Sequence, residues 1–322
     1  MTNTTTKKII RIDASALADA HCLRKLYYRT ILGIKTFTTA NDTLYGSAWH
    51  HFRETYAKTK DPHLSIGAGV KYFMDGMASG KVSAKKEKEW LNVAHLTGLC
   101  MRYLDGKPFN DFIYAENEGK PMVEQTFSLT VYEDNDVIVY LQGTVDEIGK
   151  LGGSMNVIGD DKTMTAHWKY QPKTMLEKFS LRPQLRVYYW ALREHGRQGK
   201  EGNFFETFFQ QRVGCYINGI VLAPELDKCV FLRSRLFVFS DRDMNEFEVM
   251  LRDLIKRLVA HYKTEPLPEG KLNSTCSGNY GDCGYFAACN APDDTARAAI
   301  LHSHYESGDY TPLHFRKLST PC

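Results

Sequence analysis

Gly143–Thr163 reads G-T-V-D-E-I-G-K-L-G-G-S-M-N-V-I-G-D-D-K-T, and the rest of the chain is organised around it. The spacing predicts a strand that delivers Asp146, a glycine-rich turn over Gly149–Gly153, and a second strand that delivers Asp160 and Lys162. Residues two apart on a strand share a face, so Asp160 and Lys162 point the same way, and a tight hairpin brings Asp146 to them. Two carboxylates held together repel unless a cation lies between them. Carboxylates with a lysine at an apolar strand end suit a magnesium or manganese site that activates water beside a phosphate. The alternative is a hairpin with a surface ion pair, and the order of the remaining motifs decides between the two.

G-x-x-D followed by hydrophobic-x-D-x-K-T resembles the PD-(D/E)XK nuclease superfamily and, within it, the RecB-like nucleases. The resemblance continues along the chain. In Y-G-S-A-W-H-H-F-R-E-T-Y, Tyr45–Tyr56, His50 follows Gly46 by four residues, as in the family's G-x-x-x-H motif. Gly46 and Ser47 read as a helix entry, and imidazole favours manganese more than an all-carboxylate site does. In the helix S-L-R-P-Q-L-R-V-Y-Y-W-A-L, Gln184 and Tyr188 lie one turn apart, similar to the family's Q-x-x-x-Y motif beside the metals. S-x-L-x-x-x-x-C-x-R-K-x-Y-Y, around Cys22, resembles the opening of iron–sulfur RecB-like nucleases, with Leu23 where the family has proline. The tail C-S-G-N-Y-G-D-C-G-Y-F-A-A-C supplies Cys276, Cys283 and Cys289. Its second gap matches the family's spacing; its first is longer, so Cys276 departs most from the pattern. Four thiolates also suit zinc. The resemblance favours a 4Fe–4S cluster that staples the two ends, as in AddB-type and CRISPR-associated RecB-like nucleases.

The resemblance implies an α/β fold with a restriction-endonuclease-like core, a central mixed sheet flanked by helices, a helical insertion and an iron–sulfur-stapled terminus. It implies one domain over 1–322: a helical part over about 14–110, a nuclease core over about 120–265 and a cysteine-rich tail over about 270–292. His50, Asp146, Asp160 and the backbone carbonyl of Asp161 would hold magnesium or manganese, with Lys162 acting on the attacking water. Gln184, Tyr188, Lys169, Lys173 and Arg182 would guide DNA. The implied activity is metal-dependent exonuclease action on DNA ends or single strands, in replication, recombination, repair or CRISPR-type processing, beside a helicase or integrase-type protein partner. The reading from another class is a non-catalytic iron–sulfur adaptor that binds DNA.

Composition is compatible with this. The 322 residues are 43% hydrophobic and 12% aromatic, enough to fill a core. A net charge of +3 leaves partner choice to local distribution. Basic residues collect before Lys35 (Lys7, Lys8, Arg11, Arg24, Lys25, Arg29) and over Lys162–Arg186, either of which suits a phosphate backbone or a solvated helix face. Met1–Lys8 is polar with no apolar run behind it, and no stretch reaches membrane-spanning length, so a cytoplasmic protein is expected. Eight cysteines there argue for metal or core roles before disulfides. No G-x-x-x-x-G-K-[ST] is present, which excludes a P-loop ATPase engine.

Periodicity supplies the other elements. A helix is predicted over 15–32 with Ser15 as cap and Gly33 as stop. A second is predicted over 83–104, with Trp90, Val93, Ala94, Met101 and Leu104 as its stripe and close packing or a bend at Thr97–Gly98. A strand starts at Val123, with Val123, Phe127, Leu129 and Val131 facing inward and Glu124, Thr126, Ser128 and Thr130 outward. Strands over Val213–Leu222 and Cys229–Phe239 bury Cys215 and Cys229. A helix over 241–263 buries Met244, Phe247, Met250, Leu251, Leu254, Leu258 and Tyr262. His167, Trp168 and Tyr170 form a loop able to stack on bases.

Overall fold

The computed structural model describes residues 7–36, 39–83, 88–165, 173–174, 176–177, 182–199, 201–264, 267–270, 276–278 and 281–306. Its principal elements in chain order are β1 (Lys8–Ile12), α1 (Ala14–Ala18), α2 (Leu23–Thr30), α3 (Asn41–Thr59), α4 (Pro62–Ala78), α5 (Val93–Gly106), β2 (Phe112–Tyr114), β3 (Val123–Glu133), β4 (Val137–Leu151) and β5 (Met155–Thr165). They continue with α6 (Gln184–Gln198), α7 (Phe204–Phe209), β6 (Val213–Leu222), β7 (Val230–Arg233), α8 (Asp241–Thr264), α9 (Phe286–Cys289) and α10 (Asp294–His304). The chain groups into two compact units, one of residues 1–37, 126–143 and 240–322, the other of 38–125 and 144–239.

The second unit carries the quoted hairpin. The end of β4 pairs antiparallel with β5, from Met155↔Leu151 to Gly159↔Glu147. β5 then runs parallel to β6, from Asn156↔Val213 to Thr165↔Leu222, and β7 closes on β6 antiparallel. The sheet is therefore mixed. All ten residues of β6 are buried, as an interior strand flanked on both edges requires. The reversal falls at Gly152 and Gly153, with φ of 57° and 74°, a left-handed pair that suits the twist of a hairpin. Gly149 lies inside β4, opposite Val157, rather than in the turn.

α3 packs on this sheet through Tyr45, Trp49 and Phe52, which join Leu96, Leu99, Cys100 and Tyr103 of α5 and Ile220 and Leu222 of β6 in one core. Each such side chain contributes about 1.5–3 kcal/mol on burial. Gly46 is not the entry of α3, which begins at Asn41. It sits mid-helix where a Cβ would lie 2.7 Å from Thr163 Oγ1, so glycine there lets the helix approach β5. α4 was not marked by periodicity; its signal is Asp61-Pro62, a capping aspartate followed by proline in the first turn. α5 begins at Val93, not 83, because the Asn92 side chain accepts the His95 N–H and fixes the start; Trp90 precedes it. Gly98 packs against Leu226. The strand expected over Cys229–Phe239 is shorter, Val230–Arg233, followed by a bridge between Cys215 and Phe237.

In the first unit β1 runs parallel to the beginning of β4, Lys8↔Val137 to Ile12↔Leu141. The helix expected in one piece over 15–32 is two. Asp13, not Ser15, caps α1 by accepting the Ala16 N–H at 2.6 Å. Lys25 and Arg29 hold Asp19 at 2.7 and 3.0 Å, which ties down the break, and Cys22 becomes the residue before α2. Gly33, with φ of 61°, ends it. α8 buries the expected stripe except Met250, which is exposed, and Tyr262, which is half-buried; Ile255 and Val259 are buried in addition. Among the described residues no helix is long and apolar enough to cross a membrane.

Candidate metal and active site

Five elements deliver the site, all through residues of the second unit: α3 brings His50, the start of β3 Glu124, β4 Asp146, β5 Asp160 and Lys162, and α6 Gln184 and Tyr188. His50 Nδ1 lies 3.3 Å from Glu124 Oε1 and 3.6 Å from Asp146 Oδ2, and the ligand atoms of the three residues fall within 4.8 Å of one another. Octahedral coordination at about 2.1 Å sets adjacent ligand atoms about 3 Å apart, so this set fits a hard divalent cation with little adjustment. One step past the Gly159↔Glu147 pair, Asp160 comes opposite Asp146. The Asp161 N–H donates to Asp146 Oδ2 at 2.8 Å. Lys162 Nζ lies 2.7 Å from Asp160 Oδ2, as their shared face requires. Gln184 Nε2 donates to Asp160 Oδ1 at 2.8 Å and to Tyr188 Oη at 2.7 Å. His50, Asp146, Asp160, Lys162, Gln184 and Tyr188 thus meet, though they span most of the second unit's sequence.

Burial and the neighbouring charges set the protonation of the site. Burial drives the Asp146 carboxyl well above the usual carboxylate range; the His50 imidazole and, less, Lys162 oppose this, and Asp160 and Glu124 push it further up. Burial pulls His50 down, but Asp146 and Glu124 more than reverse this and raise it to about 10. Lys162 is likewise raised: Asp160 and Asp146 outweigh its burial. Burial, then Asp160, keeps the Tyr188 hydroxyl protonated far above its ordinary range. Protons and an ammonium are neutralising carboxylates that a divalent cation would neutralise instead.

Glu124 was not read from the sequence. Period-two alternation put it on the outward face of β3 with Thr126 and Ser128. It has φ of 51°, a left-handed conformation that costs a non-glycine residue about 1–2 kcal/mol, and this breaks the alternation. Its side chain is 9% exposed and turned to His50. An acid directly after Val123, at the start of an apolar strand, is the one trace it leaves in the sequence.

The residues expected to contact DNA are less fixed to the site. Lys173 and Arg182 are exposed. Lys169 lies outside the described residues, as do His167, Trp168 and Tyr170. In the first unit, Lys7, Lys25 and Arg29 are engaged by Glu133, Asp19 and Asp13, which favours the solvated-face reading for that basic stretch.

Cys22, Cys276, Cys283 and Cys289 all belong to the first unit. Cys22 is buried, Cys283 N–H donates to the Cys276 carbonyl at 2.7 Å, and Cys289 ends α9. Burial raises the Cys289 thiol; Arg24 opposes this, and Cys22 and Cys283 push it up further. The Tyr28 hydroxyl, which feels Cys289, is buried without a hydrogen-bond partner among the described residues, a donor suited to a sulfur-rich group. Among the described residues no three cysteine sulfurs lie within 4.8 Å of one another.

A profile of the PD-(D/E)XK nuclease superfamily matches residues 15–290. Among solved structures, the chain is similar to a protein from Eubacterium rectale that carries the provisional description of an exonuclease, with 13% identity, a TM-score of 0.48, and coverage of 97% of this chain and 94% of that one. It is also similar to SSO0001, with 10% identity, a TM-score of 0.28, and coverage of 75% and 82%. No curated protein matches the chain.

Proposed function

The chain belongs to the PD-(D/E)XK nuclease superfamily, and from that membership we propose a divalent-metal-dependent deoxyribonuclease that shortens DNA from ends or in single strands. The observation that carries the reading is the convergence of His50, Glu124 and Asp146 with the Lys162–Asp160–Gln184–Tyr188 chain of contacts. Magnesium or manganese held by His50, Glu124, Asp146, Asp160 and the Asp161 carbonyl would supply an activated water and neutralise phosphate charge. Lys162 keeps its proton and places a positive charge beside the acids, where it orients the attacking water and offsets charge developing on the phosphate. Gln184 fixes the rotation of the Asp160 carboxylate and holds the Tyr188 hydroxyl. Lys169, Lys173 and Arg182 would follow the phosphate backbone without reading bases.

We also assign Cys22, Cys276, Cys283 and Cys289 to a 4Fe–4S cluster in preference to zinc, within a single nuclease domain over 1–322. We also place the function in replication, recombination, repair or CRISPR-type processing of DNA, with a helicase or integrase-type protein as partner. A DNA-binding adaptor has no use for several buried acids beside a lysine, because unneutralised carboxylates repel phosphate. Digestion of end-labelled single-stranded, duplex and closed circular DNA tests the reading. With manganese, linear DNA is expected to shorten while circles persist, and chelation is expected to stop the reaction. Binding without cleavage in magnesium and manganese alike would return the protein to the adaptor class.

A further inference from the structure

The acid pairs Asp146-Glu147 and Asp160-Asp161 divide between the two faces of the β4–β5 hairpin. Asp146 and Asp160 face the metal side. Glu147 and Asp161 turn away from it and are 2% and 1% exposed. Arg53, one turn beyond His50 on α3, meets both: its Nε donates to Asp161 Oδ2 at 3.0 Å, and its Nη2 pairs with Glu147 Oε1. Asn218 of β6 bridges the same acids, donating to Glu147 Oε2 and Asp161 Oδ1 at 2.9 Å each. Tyr216 Oη completes Glu147 at 2.7 Å and Trp49 Nε1 completes Asp161 at 3.2 Å. Every oxygen of both carboxylates has a donor.

One guanidinium against two carboxylates in the interior is a poor way to gain stability, since desolvation offsets most of the attraction and apolar packing does as well. The set does, however, reach the metal side by two rigid routes. The Asp161 side chain is pinned from behind, and its own peptide N–H holds Asp146 Oδ2 at 2.8 Å. Arg53 is pinned to the sheet, and its helix carries His50.

We propose that Arg53, Glu147 and Asn218, acting through Asp161, are a positioning unit that sets the separation of His50 and Asp146 so that one divalent cation fits between them. The inference rests on the metal-centre reading above. None of the three touches substrate or cation. They act by fixing the rotation of α3 and the peptide plane at Asp161 relative to the Asp146 carboxylate. The device explains why the middle residue of D-D-K is an acid here: its carboxylate serves the far face of the sheet.

The test uses Arg53→Met, Arg53→Lys and Glu147→Gln in the full chain. Manganese affinity is measured by calorimetry, and kcat and KM for DNA are measured at a temperature where circular dichroism shows each variant folded. Loss of supporting residues around a metal site typically weakens affinity or activity about 10–100-fold, and that range is expected for Arg53→Met, with partial recovery in Arg53→Lys. The kcat should fall while KM for DNA stays near the wild-type value. If Arg53→Met does not fold, Glu147→Gln, which keeps shape and packing, carries the test. Folded variants with wild-type manganese affinity and kcat would overturn the proposal and leave the network as fold support. Wild-type protein that binds manganese but never cuts would sink the nuclease reading alone, because the affinities still report positioning. Wild-type protein that binds no manganese would end both.

Discussion

At the scale of single residues, the left-handed φ of 51° at Glu124 turns its carboxylate to His50 and makes it the third candidate ligand beside Asp146. In the sequence, Asp160 and Lys162 stood out because their spacing demands a shared face, Asp146 because a tight hairpin brings it to them, and His50 because its place after Gly46 resembles the family's G-x-x-x-H motif. Glu124 did not, because its left-handed φ turns a residue that alternation sends outward into the site. Calorimetry with manganese tests it: Glu124→Gln should weaken binding about tenfold or more, whereas unchanged affinity would leave Glu124 only a partner of His50. The same titration has a pH signature. Asp146 and Glu124 raise the His50 imidazole to about 10, above an ordinary histidine near 6.5. A raised value contributes stability that is full below the unfolded value and is lost as pH rises through the folded one. Manganese must displace that proton, so affinity should climb from pH 7 to 9 with proton release to the buffer. A flat profile would place His50 outside the coordination sphere.

At the scale of elements, strands were read better than helix boundaries. β4, β5 and β6 followed from apolar runs and turn glycines, because pairing register is fixed by which face is buried. The cap expected at Ser15 lies at Asp13, and helix starts were misplaced at 46 and 83, because the side-chain cap at Asn92 and the close approach at Gly46 override periodicity. Gly159 shows how tightly the hairpin is built. A Cβ there would lie 2.6 Å from the Tyr216 ring and 2.8 Å from Glu147 Oε2, both buried and bonded to each other. Gly159→Ala should therefore destabilise the protein by about 1–3 kcal/mol through overpacking. Urea unfolding reads this as a lower midpoint at unchanged slope, and an unshifted midpoint would show that the ring yields freely.

At the scale of the whole molecule, the order of motifs along the chain carried the family, and the interleaving of its two compact units did not show in the sequence. Contacts between segments more than a hundred residues apart leave no local period. The tail is the clearest case: the cysteines were visible, but what holds Cys22 near Cys289 is not local. If they share a cluster, anaerobically purified protein should be brown and contain iron and sulfide, and Cys22→Ala should lose both along with much of its stability. A colourless, stable protein with stoichiometric zinc would contradict the assignment. Catalysis by the β4–β5 hairpin is read on labelled single-stranded DNA, with manganese for cleavage and calcium for binding. Asp160→Ala and Lys162→Ala should each abolish cleavage while calcium-supported binding stays within a few-fold of wild type, because phosphate contacts are spread over many basic residues. Cleavage that persists in either variant would move the chemistry away from the β4–β5 hairpin.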